Sequence, residues 1–358
     1  MTGPALARLQ EAVDQARLAY GAPGALAVVH RDAERFEIAS GMADRSGTLV
    51  SADMQFRVGS ITKSVVAALV LDQVAQGHLS LQDAAGNIVG DPLRPEPPIT
   101  IRMLLNHTSG IFDIGNEGDP VADIARLDSR DLIDEAQALQ YAAAAGQMVV
   151  ASDRLTIGLA ETHDRYFQPG AGFHYSNTNY QVAAMALEEI SGRALAELVE
   201  ERISRPLNLN QTTLAPDDLR SPAFRGNAVD TMTGELIDAT DDLLAFGNGG
   251  SGGLLSTADE LTTIMRAIVN GPLLPADLRA EMIRPTPQSG DSYGLGIATY
   301  ILRCGVFYGH EGSVNGTASI ALIDGSGRSV VVAFNRTGGD PHLITLAEQL
   351  VCSSVPTS

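Results

Sequence analysis

Phe56-Arg57-Val58-Gly59-Ser60-Ile61-Thr62-Lys63-Ser64 leads into an apolar helix predicted over residues 60–76, which Gly77 ends. Ser60 and Lys63 are three residues apart at its start, so their side chains share one face. A serine at a helix N-terminus lies at the positive end of the helix dipole, which favours an oxyanion there. The apolar residues that follow would desolvate the lysine, and a neutral lysine can take the serine's proton. A serine that only caps the helix fits the same spacing.

A second segment, Tyr175-Ser176-Asn177-Thr178-Asn179-Tyr180, lies between a loop rich in proline and glycine and a helix predicted over residues 179–191. A phenol and a carboxamide two residues apart on a turn can face one cleft. There Tyr175 would relay a proton and Asn177 would hold a substrate amide. The alternative is that Asn177 or Asn179 caps the following helix.

A third segment, Tyr308-Gly309-His310-Glu311-Gly312-Ser313, has a glycine on each side of a histidine and a glutamate. Glycines in a strand let another backbone or a ligand approach closely. A histidine beside such a gap can place a donor or a proton shuttle near a reacting centre. A histidine at a sheet edge, with the glycines serving a bulge, fits the same residues.

The rest of the sequence predicts strands near both ends and helices between them. The predicted strands are 25–30, 36–40, 306–309, 318–323 and 329–335, and the other predicted helices are 5–20, 100–106, 130–145, 194–203, 257–270 and 343–352. This order favours an α/β fold of the α+β type, in which an antiparallel sheet from the N- and C-terminal segments is flanked by helices and carries an inserted helical subdomain. We expect one catalytic unit over residues 1–358, with residues 1–75 and 250–358 in the sheet part and 76–249 in the helical part.

Composition and charge exclude several classes of function. The chain has 358 residues, 44% of them hydrophobic, and a formal net charge of −19, which repels nucleic acid and anionic lipid. It lacks a run of about 18 apolar residues, so no membrane span is expected. Its two cysteines are too few for a cysteine-rich metal site. We expect no metal and no cofactor, a small-molecule or peptide substrate, and a monomer.

The order of the three motifs, Ser-x-x-Lys, Tyr-x-Asn and His-x-Gly, resembles that of the serine penicillin-recognising enzymes. The His-x-Gly form is similar to the branch that contains serine DD-carboxypeptidases, class C-like β-lactamases, D-aminopeptidases, D-amino-acid amidases and some esterases. Within that branch the chain looks most like a secreted serine DD-carboxypeptidase. Shorter matches lie at residues 56–59, 105–110, 206–209 and 293–296, so the resemblance spans residues 21–352.

The resemblance implies a β-lactamase/DD-peptidase-like fold and a covalent mechanism without a cofactor. Ser60 would form an acyl-enzyme, assisted by Lys63 and Tyr175 as a coupled base in which the first proton acceptor stays open. The backbone N–H groups of Ser60 and Ser313 would form the oxyanion hole.

Three further roles follow from the same resemblance. Asn177 would position the substrate's amide. His310 would lie where relatives carry a histidine or a lysine. His107, in the His-Thr-Ser-Gly turn, is expected to be structural rather than catalytic.

Two positions depart from the DD-carboxypeptidase pattern, in which hydroxyl groups and an arginine hold a terminal carboxylate. Ala298 stands where that arginine is expected, and Glu311 stands in the middle of the His-x-Gly motif, where a hydroxyl is expected. Ser313 keeps its hydroxyl, and Arg303 is expected to face elsewhere. A carboxylate opposite Glu311 would be repelled by about 1–4 kcal/mol. A neutral or cationic substrate group, including an amine acceptor, therefore fits better.

Three more segments are interpreted beside the same family. Residues 149–165 look like an insertion, either a wall or lid of the pocket or a surface loop. Residues 247–253 are glycine-rich without a phosphate-loop pattern, which favours close backbone packing at the cleft rim. Cys304 and Cys352 fall where secreted relatives have a disulfide, which suggests secretion if the chain is a mature form. Its start has no signal peptide, which suggests the cytoplasm if the chain is complete.

The function expected first is a serine acyl-enzyme amidohydrolase or peptidase that acts on amide bonds of D-residue-containing or related small substrates, and not a strict D-Ala-D-Ala carboxypeptidase. The second is a serine acyltransferase that passes an acyl group from an ester to an amine in antibiotic or natural-product biosynthesis. A β-lactamase, an esterase and a non-catalytic penicillin-binding-like module follow. The intact set of Ser60, Lys63 and Tyr175 argues against the non-catalytic module.

Overall fold

The structure is a computed structural model, and it describes residues 4–31, 34–93, 96–118, 120–144, 151–214, 219, 222–230, 232–240, 249–314, 316–337 and 343–353. The strands within these ranges are β1 Gly24–Arg31, β2 Glu34–Gly41, β3 Phe56–Arg57, β4 Asn227–Val229, β5 Leu236–Asp238, β6 Leu255–Ser256, β7 Ala298–Leu302, β8 Gly305–Val314, β9 Thr317–Asp324 and β10 Ser329–Phe334. The α-helices are α1 Pro4–Tyr20, α2 Thr62–Ala75, α3 Gly86–Val89, α4 Ile101–Leu105, α5 Ile114–Glu117, α6 Pro120–Ile124, α7 Arg130–Ala144, α8 Asp153–Ala160, α9 Thr178–Ser191, α10 Leu195–Val199, α11 Ala258–Val269, α12 Ala276–Ile283 and α13 Leu343–Cys352.

The main sheet joins the two ends of the chain. Its six strands are antiparallel neighbours in the order β2-β1-β10-β9-β8-β7, with Ala25 opposite Phe334 where the N-terminal strand meets the C-terminal one. Strands β9 and β10 are buried along their whole length, because α1 and α13 cover one face and α11 covers the other. The predicted α+β architecture, with a sheet from both chain ends and helices around it, is confirmed.

Two details of this sheet differ from the prediction. Strand β7 was not predicted, and β8 continues to Val314 instead of ending at Gly309. The extension places the whole His-x-Gly motif within a paired strand, since β8 keeps one register with β9 from Phe307 opposite Asp324 to Val314 opposite Thr317. The continuous register excludes a bulge, so that part of the interpretation was wrong. Strand β7 pairs with β8 only as far as Gly309, so His310 has a paired strand on one side, as the edge interpretation expected.

The segment that the sequence marked as an insertion contributes to the core. Helix α8 begins after Ser152, whose hydroxyl accepts a hydrogen bond from the Leu155 amide at 3.0 Å. The side chains of Leu155, Ile157 and Leu159 are fully buried, and α8 packs on α7 and α9. This helix is neither a lid nor a surface loop, because its apolar side chains are enclosed on both sides. Residues 149 and 150 lie outside the described ranges.

A disulfide between Cys304 and Cys352 ties the turn between β7 and β8 to the last residue of α13, with 5.4 Å between the two Cα atoms. It fixes the start of β8 to the outer helical layer. None of the helices within the described ranges has the length and apolar character needed to cross a membrane.

Candidate active site

Close backbone packing between the start of α2 and strand β8 sets the centre of the site. Gly59 has a φ of +57°, and a Cβ there would lie 2.8 Å from the Ser313 amide nitrogen. A Cβ on Gly312 would lie 1.9 Å from the carbonyl oxygen of Val58. Larger residues would push these segments apart. The two glycines thus hold Ser60, in the 3₁₀ turn Gly59–Ile61, beside Ser313.

Lys63 lies on the first turn of α2, and its side chain is fully buried. Its Nζ donates to three oxygens: Ser60 Oγ at 2.9 Å, Asn177 Oδ1 at 2.8 Å and the Ser251 carbonyl at 2.7 Å. Burial lowers the pKa of Lys63 to about 7, and the charge of Asp113 opposes this shift. Ser60 and Lys63 therefore meet as the spacing predicted. The N-cap residues of the 3₁₀ turn and of α2 are Val58 and Ile61, so Ser60 is the N-cap of neither.

Tyr175 stands over the same lysine. Lys63 Nζ lies 5.0 Å from the centre of the Tyr175 ring. The Tyr175 hydroxyl is shielded from solvent and has no hydrogen-bond partner among the described residues. Burial raises the pKa of Tyr175 above its ordinary range, although nearby Ser60 lowers it. The phenol is thus protonated at neutral pH.

His107 supports the ring of Tyr175, with 4.3 Å between the ring centroids. Its Nδ1 accepts hydrogen bonds from the Ser176 amide at 3.2 Å and from Asn179 Nδ2 at 3.1 Å. Burial, followed by the nearby charge of Lys63, lowers the pKa of His107 well below its ordinary value. These contacts agree with the structural part expected for this residue.

His310 reaches the site from β8 as a neutral group. Its Nδ1 lies 2.5 Å from the Glu311 carbonyl oxygen and its Nε2 lies 2.9 Å from the Tyr293 hydroxyl. A carbonyl only accepts, so Nδ1 carries the proton and Nε2 accepts from Tyr293. Burial, followed by the charge of Lys63, lowers the pKa of His310 to about 3. Of the two roles that the sequence left open for His310, a hydrogen-bond donor or a proton shuttle, this geometry favours a fixed hydrogen-bonding role.

Asn177 bridges Lys63 to a residue that the sequence analysis missed. Its Nδ2 lies 3.3 Å from each carboxylate oxygen of Asp113, and Asp113 is only 1% exposed. Asn177 begins α9 without a capping hydrogen bond through its side chain, so the capping alternative was wrong for it. The available signal for Asp113 was a lone acid among Ile111, Phe112 and Ile114 directly after the His-Thr-Ser-Gly turn.

The described part of the glycine-rich segment, residues 249–253, lies against the Lys63 amine. A Cβ on Gly250 would lie 2.4 Å from the carbonyl oxygen of Tyr180, so the segment passes closely over α9, and the next carbonyl, that of Ser251, reaches Lys63. This close packing agrees with the prediction, whereas the contact to the lysine was missed. Residues 247 and 248 lie outside the described ranges.

A cavity of about 390 Å³ opens beside the serine. Ser60, Tyr175, Ala298, Glu311 and Ser313 are among the residues that line it. Within the described lining, Glu311 is the one acidic side chain, and Glu311 Oε1 accepts from the Tyr300 hydroxyl at 3.4 Å. Arg303 lies in the turn between β7 and β8, away from this lining. The cavity therefore has an acidic character.

No cluster of three or more histidine, cysteine, aspartate or glutamate side chains that could hold a metal ion occurs in the part of the chain that the structure describes. The chemistry that this arrangement offers is nucleophilic attack by a serine hydroxyl beside a buried lysine.

Comparison with known proteins agrees with this geometry. The profile described as Beta-lactamase matches residues 9–351. Penicillin-binding protein 4 of Amycolatopsis lactamdurans is 27% identical in an alignment of 361 positions, gaps included, that covers 93% of this chain and 85% of that protein. D-aminopeptidase of Brucella anthropi is 28% identical in an alignment of 233 positions that covers 64% of this chain but only 40% of that protein.

Two solved structures have the same fold along nearly the whole chain. A D-stereospecific amidohydrolase from Streptomyces sp. superposes with a TM-score of 0.78 at 29% identity, covering 98% of this chain and 99% of that one. D-amino acid amidase from Ochrobactrum anthropi SV3 superposes with a TM-score of 0.79 at 20% identity, covering 97% of both chains. The monomeric state expected from the sequence stays a prediction.

Proposed function

This chain belongs to the beta-lactamase family, and from that membership we propose that it is a serine amidohydrolase that cleaves amide bonds of small D-residue-containing substrates through an acyl-enzyme on Ser60. The observation that carries the proposal is the contact of 2.9 Å between Ser60 Oγ and Lys63 Nζ. Burial brings the pKa of that lysine to about 7, where a base works efficiently at neutral pH. The names of the similar D-aminopeptidase and D-stereospecific amidohydrolase support the substrate class.

Acylation begins with neutral Lys63, which is about half of the population at a pH equal to its pKa. Lys63 accepts the proton of Ser60 Oγ while that oxygen forms a bond to the substrate's carbonyl carbon. The carbonyl electron pair moves to oxygen, and the backbone N–H groups of Ser60 and Ser313 face the resulting oxyanion. This step uses no group beyond those of the chain and the substrate.

Collapse of the tetrahedral intermediate breaks the C–N bond. Because Tyr175 is protonated, its hydroxyl can donate to the leaving nitrogen, and the ammonium of Lys63 returns a proton to the phenol. A water molecule then attacks the ester carbon, gives its proton to Lys63, and releases the carboxylic acid as Ser60 Oγ is reprotonated. In this assignment Lys63 takes the first proton and Tyr175 protonates the leaving group.

The proposal is tested by intact-protein mass spectrometry after incubation with a fluorescent penicillin and with chromogenic D- and L-amino acid amides. We expect a covalent adduct on Ser60 and faster release from the D-isomer. Ser60→Ala should give no adduct and no release, whereas Ser313→Ala, which keeps the backbone N–H, should retain both. Absence of an adduct with every acyl donor, together with unchanged turnover in Ser60→Ala, would refute the acyl-enzyme.

Transfer to an amine is the second candidate function, and Glu311 favours it. A carboxylate in the lining of a cavity beside Ser60 attracts a cationic or amine-bearing acceptor. With a D-amino acid ester as donor, we expect added primary amines to divert the acyl group into a new amide. Glu311→Gln, which keeps the size and removes the charge, should lower the ratio of amide to acid. If no new amide forms with any of the added amines, transfer is excluded and hydrolysis is the only reaction.

The same carboxylate bears on the choice between substrates. We propose that the enzyme disfavours a free terminal carboxylate because Glu311 is present and Ala298 supplies no cation. The double substitution of Glu311→Thr with Ala298→Arg should raise hydrolysis of a D-Ala-D-Ala-terminated peptide by about tenfold or more, which corresponds to about 1.4 kcal/mol of relieved repulsion. Hydrolysis of an uncharged D-amino acid amide serves as the reference. If the peptide-to-amide ratio stays the same, charge does not set the specificity.

A further inference from the structure

The amide of Asn177 lies between a cation and an anion. Its Oδ1 accepts from Lys63 Nζ at 2.8 Å, and its Nδ2 lies 3.3 Å from both Oδ1 and Oδ2 of Asp113. An ammonium only donates and a carboxylate only accepts, so the two partners dictate which end of the amide faces which way. Asn177 is therefore oriented by Asp113 as much as by Lys63.

Asp113 is itself held in place by neutral groups. Asn116 Nδ2 donates to its Oδ2 at 2.7 Å, and the backbone N–H of Asp113 donates to the Tyr166 hydroxyl at 3.1 Å. Burial raises the pKa of Asp113, while Asn116, Asn177 and the charge of Lys63 favour its anionic form. The carboxylate thus has a fixed place, out of solvent, one amide away from the lysine.

From this geometry we propose that Asp113 is a positioning residue, which acts through the Asn177 amide to hold Lys63 against Ser60 and to keep its ammonium form accessible. The proposal rests on the proposed function in that Lys63 is taken as the base. The effect of Asp113 on the proton affinity of Lys63 can be measured without assuming any reaction. The proposal also gives Asn177 a second role besides the substrate contact expected from the sequence.

The other titratable groups that surround Lys63 do not supply this charge. They come from the turn after α4, the loop before α9, helix α9 itself and strand β8, and they are His107, Tyr175, Tyr180 and His310. Burial lowers the pKa of both histidines and raises the pKa of both tyrosines, so all four are neutral at pH 7. Among the described residues, Asp113 is the anion that opposes the desolvation of Lys63.

The sequence offers an unusually direct test, because Lys63 is its single lysine. Full-length protein labelled with ¹³C and ¹⁵N in lysine gives one side-chain signal, and its shift against pH reports the proton affinity of Lys63 without any substrate. For the unmodified protein we expect a midpoint near pH 7. Asp113→Asn should move the midpoint down by about one unit or more, because an anion that favoured the ammonium is gone.

Glu117→Gln is the matched control, since it removes a carboxylate four residues further on that contacts Tyr166 and His174 instead of Asn177. We expect its midpoint to equal that of the unmodified protein. Asp113→Glu keeps the charge, so its Lys63 midpoint should stay close to that of the unmodified protein. If Asp113→Asn does not fold, Asn177→Ser, which removes the bridge, decides the matter by the same readout.

Kinetics separate this proposal from the proposed function. The rate at which a fluorophosphonate labels Ser60 should show the same change of midpoint in Asp113→Asn, with a lower plateau. A folded Asp113→Asn protein with an unshifted lysine signal would overturn the positioning role, as would an effect confined to KM. Absence of labelling in the unmodified protein would instead refute the serine mechanism, while the lysine titration would still report on Asp113.

Discussion

Lys63 and His310 are two buried basic groups beside the same serine, and their surroundings differ. Lys63 has three oxygen acceptors and, beyond Asn177, the carboxylate of Asp113. His310 has a tyrosine hydroxyl and a backbone carbonyl, and the charged neighbour that affects it is the lysine itself. Burial lowers the pKa of Lys63 to about 7 and that of His310 to about 3.

Both pKa values fall by a similar amount from ordinary values of 10.5 for lysine and 6.5 for histidine, so the difference between them comes mainly from these starting values. Burial lowers the pKa of any basic group, and a nearby negative charge restores part of the loss. Lys63, which starts from the higher pKa and has Asp113 nearby, exchanges a proton near neutral pH, whereas His310 is a neutral hydrogen-bonding group. In the proposed mechanism the proton transfers occur on the side of the site that faces Asp113, whereas β8 contributes the Ser313 N–H and the Glu311 carboxylate.

The largest effect is expected when the amine of Lys63 is removed. Lys63→Met keeps the length and the apolar stem, and we expect it to lower the rate of Ser60 acylation by about 10²–10⁴-fold, the range typical of a lost general base. Fluorophosphonate labelling followed by mass spectrometry measures this rate, and circular dichroism checks the fold. A loss of less than about tenfold would place the first proton elsewhere.

The second test removes the disulfide at the start of β8. The disulfide closes a loop with a sequence separation of 48 just before the strand that carries His310. Replacing Cys304 and Cys352 by serine should lower the free energy of unfolding by about 4 kcal/mol on the chain-entropy model, as measured by urea titration. The Lys63 midpoint should stay the same. A shifted midpoint would mean that the two sides are coupled.

The third test is the pH dependence of acylation. The active lysine is the neutral form, so the rate should rise about tenfold per pH unit below the midpoint near pH 7 and level off above it. His310→Gln should leave this midpoint in place, because a histidine with a pKa of about 3 does not titrate in that range. A midpoint that moves with His310 would assign the titration to the histidine.

The smallest expected effect comes from the partner of His310. Tyr293→Phe removes the hydroxyl that lies 2.9 Å from Nε2, at a cost of about 1 kcal/mol in thermal or urea unfolding. The acylation rate should fall by less than about tenfold with an unchanged midpoint. A larger loss of rate at full stability would show that this hydrogen bond takes part in the chemistry.

The sequence was informative about the fold where a pattern is local. Strand β1 and strand β10 were predicted within a residue or two, because continuous apolar runs between turn signals are typical of strands covered on both faces. Strand β7 was missed since it is an edge strand with mixed burial, in which Ile301 is 86% exposed and Thr299 is partly buried. Strand β7 is defined by its pairing with β8 in the folded protein, which the local sequence does not show.

The same division applies to the site. Ser60 and Lys63 share one helical turn and Tyr175 lies in a recognisable family motif, so the sequence could predict that these three side chains lie together. Asp113 and Ser251 reach the lysine only through folding, over separations of 64 residues from Asn177 and 188 residues from Lys63. The Ser251 contact is made by a backbone carbonyl, which leaves no mark on residue identity.

The burial of Lys63 also determines how the stability of the whole protein responds to alkali. An unfolded lysine has a pKa of about 10.5, whereas burial lowers that of Lys63 to about 7, so between these values the unfolded chain holds a proton that the folded chain has released. The free energy of unfolding therefore gains from this group as the pH rises from 7 toward 10. Above about 10 the buried tyrosines oppose the gain, because Tyr175 stays protonated in the folded state while unfolded tyrosines ionise. Since the sequence has no other lysine, this alkaline stabilisation comes from the same amine that is proposed to carry the reaction.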